Sequence, residues 1–336
     1  MKIIHEEILE QTADSIESLS EDVFACATYQ LLERKSDDQP AERVGSVLLY
    51  KIQNGESVKR LCTTKTNAIL DMKWHRSSYQ KILSTADSKG IVHFYSVVDD
   101  QLKEDNSLVL NEDALCLSVD WYKTHSPEKV AYSLSNGDLA IVQLTESGPE
   151  LLNSWTGHTL EAWIVACDRV NENILYTGAD DCLLKMWDLR MGTERASVTS
   201  KRHSMGVCSI QSHPKRDHVF CSGSYDENII VWDNRAMKKP LSEFETGGGV
   251  WRLKWHPHGY DTLLAACMHN GFKVINYDND LANPVLQSSY EKHESLAYGV
   301  DWCLDYEQQK NDNKDETVIA SCSFYDKLLT VWKTEC

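Results

Sequence analysis

The chain has 336 residues, 42% of them hydrophobic, and a formal net charge of −17. This charge argues against nucleic acid as a direct ligand, since a phosphate backbone requires a basic surface, whereas a basic protein partner or simple solubility would each suit it. No apolar run approaches the roughly 18–20 residues of a membrane span, and the first residues lack the apolar core of a signal peptide.

The predicted elements begin with residues 2–9, KIIHEEIL, whose alternation predicts a β-strand. A unit of about 45 residues then repeats along the chain. Its apolar end recurs at Tyr50, Tyr95, Val142, Trp187, Trp232, Ile275 and Trp332. The endings MWDLR and VWDNR are typical of the WD repeat, and the unit resembles it. Seven such units predict an all-β, seven-bladed propeller that occupies residues 1–336 as a single domain.

The first strand of a unit carries a tryptophan near its end at four places, Trp74, Trp121, Trp255 and Trp302. Only four residues follow Trp332, so the last blade lacks its outer strand. We therefore expect residues 2–9 to supply that strand and to close the ring. The last spacing, from Ile275 to Trp332, is the longest because the charged run 307–316, EQQKNDNKDE, predicts a loop inserted into the last blade.

In the fourth and fifth units a His, a Ser or Thr, an Asp and a Trp recur at equal spacings. The two sets are His158, Thr177, Asp181 and Trp187, and His203, Ser222, Asp226 and Trp232. The distance along the chain from His to Trp is the same in both sets, and so is the distance from Asp to Trp. By resemblance to WD repeats, each set is expected to form a buried chain of hydrogen bonds inside one blade. We interpret both sets as structural.

The sixth and seventh units carry unusual residues where a WD repeat has Gly-His and Ser-x-Asp. These segments are ETGGGVWRLKWHP (245–257), LLAACMHNGF (263–272), HESLAYGVDW (293–302) and ASCSFYDKLLTVW (320–332). Together with DVFACATYQL (22–31) and GVCSIQSHP (206–214), they resemble the diphthine methyl ester hydrolase family of diphthamide biosynthesis. The resemblance runs from about Asp22 to Trp332. It implies a hydrolase that removes a methyl ester from the modified histidine of elongation factor 2 and releases methanol, before a separate ATP-dependent ligase amidates the acid.

Ester hydrolysis needs a nucleophile or an activated water, a base, and donors to the oxyanion. Loops that lead into innermost strands and turns between second and third strands share one face of a propeller, so we expect the site at the channel mouth of blades six and seven. His269 is the candidate general base, because it stands near the turn position that a structural Asp usually holds. The alignment can slip by one residue, so that Asn270 could occupy that turn position instead. Ser295 is a candidate nucleophile, and a water activated by a histidine is an equal alternative. His293 is a rival catalytic residue, but without the insertion its spacing to Trp332 equals that of the structural histidines to their tryptophans.

Three glycines in a row allow close approach of the backbone to a ligand, and their N–H groups could donate to an oxyanion. The resemblance also implies a trimethylammonium group beside the ester, which favours aromatic faces and carboxylates. The substrate-binding candidates are Gly247, Gly248, Gly249, Trp251, Arg252, Glu294, Tyr298 and Tyr325. On the same face lie Glu161, Trp163, Tyr225 and Asp326. Each aromatic side chain alone is explained by packing, so only their clustering favours binding.

No phosphate loop or metal-ligand motif is present, so we expect no metal ion, nucleotide or other cofactor. The eleven cysteines include no CxxC pair, which predicts reduced thiols in a cytoplasmic protein. Under the hydrolase interpretation the protein is a monomer whose partner is elongation factor 2.

A non-enzymatic interaction platform is the main alternative. WDLR at 187–190 and WDNR at 232–235 fit the W-D-x-R pattern of WD-repeat substrate receptors in cullin-RING ubiquitin ligases, where the arginine contacts an adaptor propeller. In WD repeats this arginine often only pairs with a neighbouring blade. A scaffold in membrane traffic is a third interpretation.

Overall fold

The computed structural model describes residues 1–33, 41–76, 81–123, 128–258, 261–304 and 316–335. These residues form seven antiparallel sheets, one for each repeat. The charged insertion expected at 307–316 lies outside the described residues, apart from its last position.

The strands follow the chain blade by blade. Strand β1 (Lys2–Ile8) precedes blade one, which holds β2 (Ala13–Ser18), β3 (Val23–Thr28), β4 (Gln30–Leu31), β5 (Arg43–Gln53) and β6 (Ser57–Asn67). Blade two holds β7 (Ile69–Arg76), β8 (Lys81–Asp87), β9 (Ile91–Val98) and β10 (Gln101–Val109). Blade three holds β11 (Cys116–Trp121), β12 (Lys129–Leu134), β13 (Asp138–Thr145) and β14 (Gly148–Thr156).

The remaining blades continue in the same order. Blade four holds β15 (Ile164–Cys167), β16 (Ile174–Gly178), β17 (Leu184–Asp188) and β18 (Val198–Ser200). Blade five holds β19 (Val207–Ser212), β20 (Val219–Ser224), β21 (Asn228–Asp233) and β22 (Ser242–Glu245). Blade six holds β23 (Arg252–Trp255), β24 (Thr262–Ala266), β25 (Phe272–Asn276) and β26 (Val285–Tyr290). Blade seven holds β27 (Ala297–Trp302), β28 (Glu316–Ser323) and β29 (Leu328–Glu335).

The N-terminal strand completes blade seven, as the sequence predicts. Strand β1 pairs antiparallel with β29, from Lys2 opposite Lys333 to Ile8 opposite Leu328. Blade one differs slightly from the expected four strands. Its long strand β5 extends beyond β3, so the short β4 pairs with the free end of β5. The seven-bladed all-β propeller is thus confirmed.

Apolar clusters fill the spaces between neighbouring blades, because each sheet buries both of its faces. One cluster joins Phe24 and Tyr50 of blade one to Leu329 and Val331 of blade seven. Strand β20, VFCSGS, is buried along nearly its whole length for this reason. The core therefore runs around the ring.

A chain of hydrogen bonds joins the strands of blade four, and a second chain does the same within blade five, as expected. In blade four, His158 Nδ1 contacts both Asp181 carboxylate oxygens at 3.0–3.1 Å, and His158 Nε2 lies 2.8 Å from Thr177 Oγ1. Trp187 Nε1 donates to the same Thr177 oxygen over 2.9 Å. Blade five repeats this chain with His203, Asp226, Ser222 and Trp232. The polar atoms are buried but satisfied, which is why both sets are stable inside the sheets.

Helix is confined, within the described chain, to the single turn Leu189–Met191, and no described helix is long and apolar enough to cross a membrane. The ten cysteines of the described residues are all free, and eight of them are buried.

Candidate active site

The innermost strands of all blades run in the same direction and contact one another, so their first residues meet at one mouth of the channel. Each blade has one equivalent residue at this mouth, which we call its mouth position. It lies four residues before the tryptophan that marks an innermost strand, or before the residue that replaces this tryptophan. It is occupied by Asp14, Leu70, Leu117, Trp163, Cys208, Trp251 and Tyr298. In five blades the strand pairing shifts at this position, which is a β-bulge. Bulges redirect side chains and are common next to functional sites.

Three of the seven mouth positions are aromatic, and their rings contact one another. The ring centroids of Trp251 and Tyr298 are 4.5 Å apart with an interplanar angle of 20°, a stacked pair. Trp163 packs edge-on against Trp251 with centroids 5.6 Å apart. Blade five lies between them but carries the small Cys208, which leaves room for this contact. Tyr225 adds a fourth ring 6.2 Å from Trp251. We call Trp163, Tyr225, Trp251 and Tyr298 the mouth cluster.

Further aromatic rings continue the mouth cluster toward blade one. Phe324, in the turn between β28 and β29, lies 5.2 Å from Tyr298 and 6.1 Å from Tyr29, measured between ring centroids. Tyr325 packs against Phe324 and is 71% exposed. Tyr298 and Tyr325 therefore belong to one aromatic surface on the predicted face.

Hydrogen-bond donors without partners lie next to these rings. The indole Nε1 of Trp251 is buried and has no partner among the described residues, whereas Trp163 Nε1 donates to Asp180 over 2.8 Å. The N–H groups of Gly247, Gly248 and Gly249 likewise donate no hydrogen bond within the described part of the chain. Such donors are what a developing oxyanion requires.

The glycine loop packs closely on the β24–β25 turn. A Cβ atom on Gly248 would lie 2.3 Å from the Cys267 carbonyl oxygen, and one on Gly249 would lie 2.8 Å from Met268 Sδ. Gly247 adopts a φ of +73°, which disfavours other residues. The backbone of this loop therefore approaches its neighbour as only glycine allows.

His269 is exposed at the centre of the β24–β25 turn. The strand register places it where blade four has Asp181, three residues after the last residue of the second strand. Thr246 occupies the position in blade six that His158 has in blade four, because it precedes Ile275 by the same spacing as His158 precedes Trp187. Blade six therefore has no internal His–Asp pair. Asn270 instead holds the turn, because its Nδ2 donates to the Thr246 carbonyl oxygen over 2.7 Å. His269 is thereby left free of the structural role.

His293 has a different environment. It is 8% exposed, its Nε2 lies 2.8 Å from Thr330 Oγ1 and 3.1 Å from Ser321 Oγ, and its Nδ1 lies 2.5 Å from Ser323 Oγ. Trp332 Nε1 donates to the same Ser321 oxygen. Burial lowers the pKa of His293 to about 4, although the Asp326 carboxylate opposes this shift. The geometry favours the structural interpretation of His293 over a catalytic one.

The other loop candidates are placed as follows. Ser295 Oγ accepts the Tyr325 backbone N–H over 2.9 Å, and no histidine of the described residues bonds to it. The exposed Glu294 donates its own N–H to Asp326 Oδ2 over 3.0 Å. This arrangement favours an activated water over a Ser–His pair. It leaves the Glu294 carboxylate at the surface of the mouth.

Arg252 was expected at the rim of the mouth but lies inside the channel. It is 6% exposed and pairs with Asp71 of blade two, with 3.1 Å between Nη1 and Oδ1. Deeper in the channel, Lys73 pairs with Glu17 at 3.1 Å, and Lys254 pairs with Glu17 and with Asp301. Ion pairs between blades thus fill the channel below the mouth cluster.

Sequence reasoning missed these channel residues, although a signal exists. A charged residue stands directly before the tryptophan in four innermost strands, as in KW, DW, KW and DW. These residues are Lys73, Asp120, Lys254 and Asp301. Asp14 has no such marker, because β2 ends in serine. Its carboxyl is buried, and burial raises its pKa to about 8 against the opposing effect of Arg252, while Asp71 adds to the rise.

The opposite face carries the W-D-x-R arginines. Arg190 forms a fork with Asp188 at 2.8 and 2.5 Å, and Arg235 forms one with Asp233 at 2.9 and 2.6 Å. A cavity of about 370 Å³ lies on that side between blades three and four, lined in part by Tyr122. In the described chain, no three His, Cys, Asp or Glu side chains are grouped so that they could hold a metal ion.

Comparison with known proteins gives matches to both the repeat and the whole chain. Residues 149–188 and 196–233 match the family model of the WD domain, G-beta repeat. The diphthine methyltransferase of Homo sapiens is 39% identical over 331 residues, covering 87% of this chain and 73% of that protein. The diphthine methyltransferase homolog of Dictyostelium discoideum is 33% identical, covering 96% and 97%. The diphthine methyltransferase of Schizosaccharomyces pombe is 32% identical, covering 93% and 91%.

Among solved structures, a chain in the crystal structure of the mitotic checkpoint complex matches with a TM-score of 0.74. The match covers 100% of this chain and 92% of that chain at 15% sequence identity. At this identity the likeness concerns the fold alone.

Proposed function

The chain belongs to the diphthine methyltransferase family and so has a role in diphthamide biosynthesis, in which we propose that it hydrolyses the methyl ester of diphthine on elongation factor 2. The name of the relatives describes transfer of a methyl group. In the proposed reaction water attacks the ester carbonyl, and the methyl group leaves as methanol.

The observation that carries this proposal is the grouping of unpartnered donors and aromatic faces beside an exposed histidine. Trp251 Nε1 and the glycine-loop N–H groups are free to donate to an oxyanion. The rings of Trp163 and Tyr298 both pack against Trp251. His269 lies in the turn on which the glycine loop packs.

Each group has a role in the proposed chemistry. His269 takes a proton from the attacking water, and the oxyanion of the tetrahedral intermediate is held by Trp251 Nε1 and the backbone of Gly247–Gly249. The mouth cluster, with Tyr325 and Glu294 at its edge, binds the trimethylammonium group through cation–π and charge interactions. Such a contact contributes roughly 0.5–2 kcal/mol, depending on desolvation.

The partner in this proposal is elongation factor 2, met by a monomer in the cytoplasm without nucleic acid, metal ion or cofactor. The net charge of −17 suits contact with a basic protein surface. Free thiols in all ten described cysteines suit a reducing compartment.

The decisive experiment follows the atoms of the ester. Purified protein and methyl-esterified elongation factor 2 are incubated in ¹⁸O-labelled water, with and without S-adenosylmethionine. We expect intact mass to show loss of one methyl group and gain of one ¹⁸O, with methanol released, in both samples. Retention of the ester, or methyl-group chemistry that requires the added methyl donor, contradicts the proposal.

A further inference from the structure

We infer that Asp14 is a further catalytic residue, which donates a proton to the leaving alcohol at the channel mouth. This inference rests on the proposed ester hydrolysis and assigns a residue to its second step, in which the alcohol leaves. It concerns a side chain in blade one, outside the loops of blades six and seven.

Asp14 lies at the channel mouth. Asp14 occupies the bulge between Ala13 and Ser15, the mouth position of blade one, and its counterpart in blade seven is Tyr298. The two blades touch here through their backbones, since a Cβ atom on Gly299 would lie 2.7 Å from the Ile16 nitrogen. Asp14 therefore borders the mouth cluster at its blade-seven end.

Asp14 differs from other channel carboxyls in its hydrogen bonding. Asp14 is 3% exposed, yet its carboxyl has no hydrogen-bond partner among the described residues. Two other channel carboxylates accept backbone hydrogen bonds: Asp120 accepts the Cys167 N–H at 2.8 Å and Asp301 accepts the Ser18 N–H at 2.8 Å. Neither Asp14 oxygen is among the fully buried polar atoms that lack a partner, so this carboxyl keeps contact with solvent at the mouth. A ligand entering the mouth would supply the missing partner.

Asp14 has the protonation state that a general acid requires. Burial raises the pKa of Asp14 to about 8, with Arg252 opposing and Asp71 adding to the rise. Tyr298 and Cys322, on the blade-seven strands packed against β2, also face it, and burial raises the pKa of both above their usual values. The carboxyl is thus mainly neutral near pH 7, the form that can give a proton. Once it has done so, Arg252 stabilises the carboxylate.

The chemistry balances as follows. Water adds to the ester carbonyl carbon and its proton passes to His269. The bond between that carbon and the methoxy oxygen then breaks. The methoxy oxygen keeps the electron pair of this bond and uses it to take the Asp14 proton. The products are the free acid and methanol. Asp14 regains a proton from solvent and His269 returns one, so no other reactant is needed.

Leaving-group dependence tests the inference, because only a poor leaving group needs a proton. The substrates are the methyl and trifluoroethyl esters of 2-(trimethylammonio)butanoate, with the full chain as enzyme. We expect Asp14→Asn to lower turnover of the methyl ester by about 10²- to 10⁴-fold, the usual contribution of a general acid. Turnover of the trifluoroethyl ester should fall by less than about tenfold, since its alcohol leaves without help.

Asp120→Asn is the matched control, since Asp120 is another buried channel carboxyl with a pKa raised by burial. It lies near the far end of its strand and should leave both rates unchanged. Asp14→Glu should restore part of the methyl-ester activity. For the wild type, methyl-ester turnover should fall as pH rises above about 8, while trifluoroethyl-ester turnover should not.

The outcomes distinguish failure of the proposed function from failure of the role of Asp14. If the wild type hydrolyses neither the model esters nor the esterified factor, the proposed function fails. If the wild type is active and Asp14→Asn keeps the methyl-ester rate, or loses both rates equally, the role of Asp14 is refuted. If Asp14→Asn does not fold, the pH profile of the wild type on the esterified factor decides, and a profile without the alkaline fall refutes it.

Discussion

Arg252 of blade six pairs with Asp71 of blade two, so two blades that are not neighbours in the ring are joined across the channel. Both side chains are buried, and burial without a partner would be costly for either charge. The channel is thus held together by charges below a mouth lined with rings.

Replacing Arg252 tests the energetic weight of this pair. Arg252→Met removes the nearer cation from the buried Asp71 carboxylate and leaves only Lys73, 4.0 Å away, so we expect the free energy of unfolding to fall by about 3–5 kcal/mol. Guanidinium unfolding followed by tryptophan fluorescence measures this. Arg202→Met is the control, because its pair with Glu243 is exposed, and its unfolding midpoint should not move. Equal midpoints for both variants would contradict the prediction.

His269 and His293 should respond in opposite ways to the same substitution. His269→Gln removes the proposed base from an exposed turn, so turnover should fall by about 10²- to 10⁴-fold with an unchanged melting temperature. His293→Gln breaks bonds to Ser321 and Thr330, so it should cost about 1–3 kcal/mol of stability. Kinetics on the esterified factor and thermal unfolding measure both. Full activity in a well-folded His269→Gln protein would move the base elsewhere.

Two substitutions at Trp251 separate its ring from its N–H group. Trp251→Phe keeps an aromatic face on Tyr298 but removes the free donor, so kcat should fall by about 10²- to 10³-fold with little change in KM. Trp251→Leu removes the face as well, and KM should rise by about 2- to 30-fold. Trp155→Phe is the control, since Trp155 Nε1 is also buried without a partner in the described chain but lies on the outer strand of blade three. Identical kinetics for Trp251→Phe and wild type would exclude the donor role.

Acid should destabilise the fold through its neutral histidines. Burial lowers the pKa of His256 to about 3 and that of His293 to about 4, against 6.5 for the unfolded chain. Below pH 6.5 these two histidines bind protons in the unfolded state but remain neutral in the folded state. Stability that is present above pH 6.5 is therefore lost as pH falls toward 4. Each residue should cost about 2 kcal/mol at pH 5 relative to pH 7.5. Urea unfolding at both pH values should show a smaller loss for His293→Gln than for wild type, and equal losses would contradict this.

The fold was accessible from the sequence because its signals are periodic. Seven unit ends gave the blade number, and the short tail after Trp332 gave the pairing of β1 with β29. The His-to-Trp spacing shared by blades four and five identified the role of His293 only after the inserted residues were subtracted. Periodicity could not reveal contacts between blades on opposite sides of the channel, because it compares one repeat with the next.

The site was accessible only in part for the same reason. The aromatic residues share a register position, so Trp251 and Tyr298 could be matched from sequence. The pairing of Arg252 with Asp71 joins strands of blades six and two and follows from no repeat rule. Asp14 lies in a strand without the tryptophan that sets the register elsewhere. Its importance depends on burial and on the missing partner, which only the folded chain displays.

Strand β1 is made before every other strand of the propeller, and its partner β29 is made after all of them. At roughly 5–20 residues per second, the chain between Ile8 and Leu328 takes about 15–65 s to emerge from a ribosome. Throughout that time β1 has no partner and blade one has an open flank. The ring can therefore close only after synthesis of blade seven. A nascent chain halted within β28 should remain sensitive to protease at its N-terminal strand, however well its first six blades have folded.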